Sequence, residues 1–200
     1  MRARESEAFA VWITGIPASG KSTLTRALKT LLDARGIAVA VLESDQLREI
    51  LTPEPRYDEK ERATFYGQMT SIGALLVRQG VPVIFDATAN RREWREAARR
   101  AIPRFIEVYV DSPLEVCMDR DPKGIYRQAR EGAASSVPGL QDAYEPPERP
   151  DIIVRGDREA PDDAARRIIG TLIERGYTAF RRRSAQSDAS GADGSAQEDS

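Results

Sequence analysis

The sequence predicts an α/β fold, a five-stranded parallel sheet with helices on both faces and a lid insertion. Three observations predict it. Short apolar runs alternate with helical patterns along most of the 200 residues, as a parallel sheet requires, because each strand must return through a crossover. The first apolar run opens directly into a glycine-rich turn and then a helix. The alternation breaks once, between Asp121 and Pro150. An irregular stretch of that length in a compact domain is usually functional.

Phe9–Thr14 reads as a buried strand ending at Gly15. Lys21 to about Ala34 reads as a helix, with Leu24, Leu28, Leu31 and Leu32 on one face and Gly36 as its stop. Ile37–Leu42 is a second strand. Asp45–Leu51 is a short helix halted by Pro53 and Pro55. Asp58–Gln79 is a long helix closed by Gly80, Val81–Phe85 a third strand and Asn90–Ala101 an arginine-rich helix. Phe105–Val110 is a fourth strand, and Pro113 opens a helix to about Arg120. A helical piece near Tyr126–Arg130 interrupts the insertion. Ile152–Val154 and Pro161–Arg175 supply the last strand and helix.

Composition excludes several chemistries. The chain has no His and one Cys, so a Ser–His–Asp triad, a His-ligated metal, an internal disulfide and a four-thiolate zinc site are all ruled out. Cys117 and Met118 read as packing residues. No apolar run reaches the ~20 residues of a membrane span, and Met1 to Ala8 lacks a signal-like apolar stretch. A cytoplasmic location is the expectation. The net charge of −2 argues against bulk nucleic-acid binding. Residues 184–200 hold four acids, no base and no large apolar side chain, which predicts a disordered acidic tail over 181–200 beyond a domain at 1–180.

Gly15, Ile16, Pro17, Ala18, Ser19, Gly20, Lys21 and Ser22, followed by Thr23, fit G-x-x-x-x-G-K-[ST] between the first strand and the first helix. Glycines there let backbone N–H groups wrap phosphates, and the helix adds its positive end. Lys21 is placed to reach the β- and γ-phosphates of ATP, and the Ser22 hydroxyl to hold Mg²⁺. The fold is thus that of P-loop nucleotide-binding proteins. No Asn-Lys-x-Asp string is present to read guanine. A small kinase further needs a proton acceptor, cations for the moving phosphoryl and a lid that excludes water.

Asp45, just past the second strand, sits where open α/β sheets bind ligands. Without His it is the natural proton acceptor, and it also suits a helix N-cap. Arg48 shares its helical face and is a candidate to hold an anionic substrate. Asp86 is a second Mg²⁺ candidate, through water, or a cap for the helix after it. Arg92, Arg95 and Arg99 share one side of that helix and are available to an anion. Trp94 reads as packing. In the insertion, set as a lid at about 119–150, Arg120, Lys123, Arg127 and Arg130 would form one cationic stripe if helical.

Three strings resemble the adenylylsulfate kinase family: Phe105–Cys117, Arg120–Arg130 with its Asp121-Pro122-Lys123-Gly124, and Gly139–Pro150. The resemblance runs from about Phe9 to Tyr177. It implies phosphorylation of the 3′-hydroxyl of adenosine 5′-phosphosulfate by MgATP, as in sulfate assimilation. It also implies that Asp45, Arg48, Tyr57, Arg62, Arg92, Arg95 and Lys123 surround the acceptor, a small anionic molecule. A homodimer is left open; no nucleic acid or membrane partner is expected. Phe65, Gly67, Ala89 and Val137 stand where the family has Asn, Arg, Ser and Phe. These departures keep two alternatives open, a P-loop kinase for another small hydroxyl compound and a non-catalytic nucleotide-binding regulator.

Overall fold

The computed structural model describes residues 8–133 and 136–178. The expected acidic tail lies outside the described residues. In chain order the elements are β1 (Ala10–Thr14), α1 (Lys21–Asp33), β2 (Ala40–Glu43), α2 (Ser44–Leu51), α3 (Glu59–Arg78) and β3 (Val83–Asp86). Then follow α4 (Arg92–Ala101), β4 (Phe105–Asp111), α5 (Leu114–Arg120), α6 (Ile125–Arg130), β5 (Ile152–Arg155) and α7 (Pro161–Glu174). The sheet order is β2-β3-β1-β4-β5, and every pairing is parallel.

Successive side chains of a strand point to opposite faces, and β1 shows what that does here. Val11 and Ile13 enter a core with Leu24, Leu28 and Leu32 of α1 and Ile168 and Leu172 of α7. Ala10 and Trp12 enter the other core, with Phe65, Met69 and Val77 of α3 and Ala98 of α4. Burying each large apolar side chain contributes about 1.5–3 kcal/mol, so a strand buried on both faces can be apolar throughout. Close approach on the α3 side depends on Gly73, where a Cβ would meet the Phe85 ring at 2.1 Å. Phe85 in turn stacks on Trp12 with centroids 4.6 Å apart.

Three boundaries differ from the sequence expectation by two residues or more, each for an identifiable reason. Ile37 is tied to the end of α1 by its N–H to Leu32 O, so β2 begins at Ala40, whose N–H reaches Pro82 O. Val81 similarly closes α3 on Leu76 O, which delays β3 to Val83. Helix α4 starts at Arg92 because Asn90 is engaged elsewhere: its side-chain amide donates to Ala143 O and its carbonyl accepts from Glu145 N–H.

The strands converge so that Thr14, Glu43 and Asp86 end at one carboxyl edge. The chain reverses direction across the sheet beside β1, which is where doubly wound sheets open a crevice for ligands. Among the described residues no helix is long and apolar enough to cross a membrane.

Candidate active site

Residues 15–22 form a closed cradle at the end of β1. Gly20 takes φ +110° as it hands the chain to α1, a conformation that favours glycine. Lys21 folds over the loop, its Nζ donating to Ile16 O at 2.9 Å. Burial pushes the Lys21 ammonium below its ordinary range, opposed by the charges of Asp86 and Asp45. The Ser19 hydroxyl is buried with no hydrogen-bond partner. Beneath the loop, Ser112 Oγ donates to Ser19 O at 2.9 Å.

The cradle opens into a cleft of about 960 Å³ that gathers Lys21, Ser22, Thr23, Glu43, Asp45, Asp86, Arg120 and Lys123. Lys123 reaches across to Asp45, Nζ to Oδ2 at 2.5 Å. That hydrogen bond holds the Lys123 ammonium above its usual range against partial desolvation. Asp45 lies in the first turn of α2, whose N-cap is Glu43. Asp86 ends β3 and does not cap α4, whose first N–H, from Arg92, is met by Glu145 Oε2 at 2.8 Å.

Two groups escaped the sequence reasoning. Glu43 ends β2 in register with Asp86 and lines the cleft. Desolvation and then the Asp86 charge raise its pKa above the ordinary carboxylate range. Its position at a strand's carboxyl end was the available signal. The second group is the turn from Gly156 to Pro161 after β5, which walls the cleft opposite Arg120; Arg120 Nη1 donates to Gly156 O at 2.9 Å. No pattern in that turn announces a ligand.

The structure corrects the cationic stripe expected in the insertion. Helix α5 stops at Arg120, Asp121 turns the chain, and α6 begins only at Ile125 behind a left-handed Gly124. Arg120 and Lys123 line the cleft, whereas Arg127 and Arg130 do not. The expectation for α4 is corrected too. Arg95 is fully buried, with Nε on Glu107 Oε1 at 2.8 Å and its two terminal nitrogens on the carbonyls of Ala89 and Glu145. Arg99 is shared between Glu107 and Asp151. Arg92 pairs with Glu148 and donates to Pro146 O. A helix rich in arginine here binds the protein's own acids.

The insertion packs onto the phosphate loop. Tyr126, Ala129, Val137 and Cys117 form a small core with Ile16 and Ala18 partly buried against it. Tyr126 donates its hydroxyl to Pro17 O at 2.9 Å. Gly139 sits so close that a Cβ would meet Ile16 Cγ2 at 2.8 Å. Cys117 is buried as packing, and burial raises its thiol pKa. Trp94 also packs, stacked on Tyr66 at 4.9 Å.

A second cavity of about 360 Å³ opens beyond α2, lined by Arg56, Tyr57, Arg62, Asn90, Arg91 and Ser136 among others. Tyr57 lies between two guanidinium groups, Arg48 at 5.1 Å and Arg62 at 5.9 Å from its ring. Arg48 also lies 4.1 Å from the Phe65 centroid and pairs with Glu61 at 3.2 Å. Phe65, Ala89 and Val137 are buried and line neither cavity. Phe65 serves as a platform for Arg48.

Gly156 gives the sharpest test of the cradle. A Cβ there would lie 2.2 Å from Ser19 O and 2.4 Å from Ser112 Oγ, so Gly156→Ala must push the phosphate loop. Calorimetric titration with ATP is expected to show affinity lost at least tenfold, with about 1–3 kcal/mol of stability. Wild-type ATP affinity in this variant would refute the packing described.

Comparison with known proteins follows the same geometry. The family model described as adenylylsulphate kinase matches residues 7–155. The adenylyl-sulfate kinase of Microcystis aeruginosa (strain NIES-843 / IAM M-2473) is 40% identical over 167 residues, 84% of this chain and 92% of the relative. That of Halothermothrix orenii (strain H 168 / OCM 544 / DSM 9562) is 36% identical over 174 residues, 87% and 94% of the two chains. Among solved structures, the Mycobacterium tuberculosis APS kinase CysC in complex with AMPPNP and APS superposes with a TM-score of 0.78 at 32% identity, covering 83% of this chain and 98% of that one. Sheet order, phosphate cradle and lid string agree with these matches in one conclusion: the chain belongs to the adenylylsulphate kinase family.

Proposed function

We propose that the protein transfers the γ-phosphoryl group of ATP to the 3′-hydroxyl of adenosine 5′-phosphosulfate. The observation that carries this reading is the meeting of the phosphate cradle, Lys21 and Asp45 in one cleft. The arginine- and tyrosine-lined cavity beyond Arg48 supports it by supplying charge and a ring for an anionic nucleotide. Family membership supports it further, as does the likeness to the Mycobacterium tuberculosis APS kinase in complex with AMPPNP and APS.

The residues present fit Mg²⁺ carried in with ATP. No group of three or more ligating side chains forms a dedicated cage among the described residues, and Mg²⁺ commonly takes one or two protein groups plus phosphates and water. Ser22 would hold it directly and Asp86 through water. Bound there, the ion would supply positive charge to offset that of the phosphates.

The rest of the chemistry falls to this chain's residues. Backbone N–H groups of 15–22 and the start of α1 hold the phosphates. Lys21 exchanges Ile16 O for phosphate oxygens, whose negative charge would offset the burial that lowers its pKa. Asp45 orients the acceptor hydroxyl and takes its proton as the oxygen attacks the γ-phosphorus. The bond to the β–γ bridging oxygen breaks, and ADP leaves. Lys123 releases Asp45 and turns to the phosphoryl group, so that one lid lysine serves the carboxylate before binding and the phosphates after. Tyr57 and Arg62 face the acceptor cavity, with Arg48 behind Tyr57 against Phe65, and Arg120 borders the far end of the cleft, where the base of ATP would lie.

The test is MgATP consumption by the purified protein with adenosine 5′-phosphosulfate, coupled to direct detection of the 3′-phosphorylated product. Turnover of about 1 per second or more is expected. ATP binding without that product would sink the reading.

A further inference from the structure

We propose that Asp142 sets acceptor affinity by acting as an internal counter-anion on Arg62, so that an incoming phosphosulfate must compete with it. The inference rests on the acceptor reading above.

Arg62 is buried at the wall of the smaller cavity and has little freedom. Its Nε donates to Tyr57 O at 3.0 Å and Nη1 to Asn90 Oδ1 at 3.1 Å. Its Nη2 donates to Ser136 O at 2.8 Å and Ser136 Oγ at 2.6 Å, and lies 3.2 Å from Asp142 Oδ2. The Ser136 hydroxyl itself donates to the same Asp142 oxygen. Among the described residues Asp142 is therefore the one negative charge paired with Arg62, and both line the cavity.

The two partners differ in exposure. The Arg62 side chain is 7% exposed and the Asp142 side chain 35%. The backbone of Asp142 is pinned independently, its N–H on Val137 O and its carbonyl receiving Gly139 N–H. The carboxylate can swing out while the turn keeps Gly139 on Ile16 of the phosphate loop. An anion entering the cavity meets a guanidinium whose charge is already offset. Removing the carboxylate removes both a competitor and a repulsive charge within a few ångströms. Asparagine keeps the shape and an acceptor oxygen for Ser136 and Arg62, which separates charge from positioning.

Steady-state kinetics of the full chain with adenosine 5′-phosphosulfate test this on Asp142→Asn and Asp142→Glu. The Asn variant is expected to lower the KM for the acceptor about three- to tenfold, with the KM for ATP within about twofold of wild type. The Glu variant, which keeps the charge, is expected not to lower it. Asp142→Ser, neutral and smaller, provides the same reading should the Asn variant fold poorly. An acceptor KM unchanged or raised in the neutral variants, or lowered equally by Asp142→Glu, overturns the proposal. Wild-type protein that makes no 3′-phosphorylated product overturns the acceptor reading and this inference with it, an outcome visible before any variant is compared.

Discussion

Asp45→Ala is expected to reduce phosphoryl transfer by about 10²–10⁴-fold, the usual contribution of a positioned general base, while ATP affinity stays within a few-fold. The two readouts separate because Asp45 stands on α2, outside the phosphate loop, and lines the cleft from there. Removing it also frees Lys123 from a 2.5 Å ion pair, so ATP binding gains rather than loses a cation. Lys21→Ala supplies the contrasting result, since it removes the charge that reaches the phosphates and is expected to abolish ATP binding and turnover together. Rapid-quench kinetics and ATP titration on the two variants check both. Phosphoryl transfer within a factor of a few of wild type in Asp45→Ala would show that another group, with Glu43 the nearest candidate by position, takes the proton.

Arg95→Met is expected to be the most destabilising substitution on the acceptor side, at about 3–5 kcal/mol, because it breaks a buried pair and leaves one charge behind. Its guanidinium satisfies Glu107 on β4, the carbonyl of Ala89 before α4 and the carbonyl of Glu145 near the end of the lid insertion. Ala89 is a non-glycine residue at φ +39° whose N–H is held by the Tyr66 hydroxyl, so Arg95 holds the other side of a strained peptide. For a domain of this size, the loss corresponds to a fall in Tm of roughly 10 °C. Arg95→Met combined with Glu107→Leu removes both charges and is expected to recover a large part of that, since apolar replacements of whole buried pairs are often neutral. Thermal unfolding of the single and double variants measures both. A single variant that melts within about 2 °C of wild type would contradict the buried arrangement.

The reach of the sequence differs from one element to the next. The strands were legible because burial on both faces demands continuous apolar runs such as Ala10–Thr14. The phosphate loop was legible because its chemistry resides in backbone geometry that only a particular spacing of Gly, Lys and Ser can supply. Helix ends were legible where a local signal sets them, as at Asp58, whose carboxylate accepts from Glu61 N–H. Boundaries decided by non-local bonds, such as the delayed start of α4 at Arg92, were not.

The cations divide along the same line. Spacing placed Arg92, Arg95 and Arg99 on one side of a helix, and that placement is correct; the helix buries Arg95 on that side. What they face is set by Glu107, Glu145, Glu148 and Asp151, which arrive from distant parts of the chain. A charge has no periodic signature that distinguishes an internal partner from a ligand. The break between α5 and α6 likewise separated Arg120 and Lys123 from Arg127 and Arg130, because Asp121 and Gly124 turn the chain. By itself, then, the sequence determined the layered parallel fold, the nucleotide loop and the candidate proton acceptor, all of which follow from local spacing and burial. Only the tertiary structure decided which arginines are spent on the protein, that Glu43 and the Gly156 turn line the cleft, and that Asp142 stands beside Arg62, since each depends on residues brought together from across the chain.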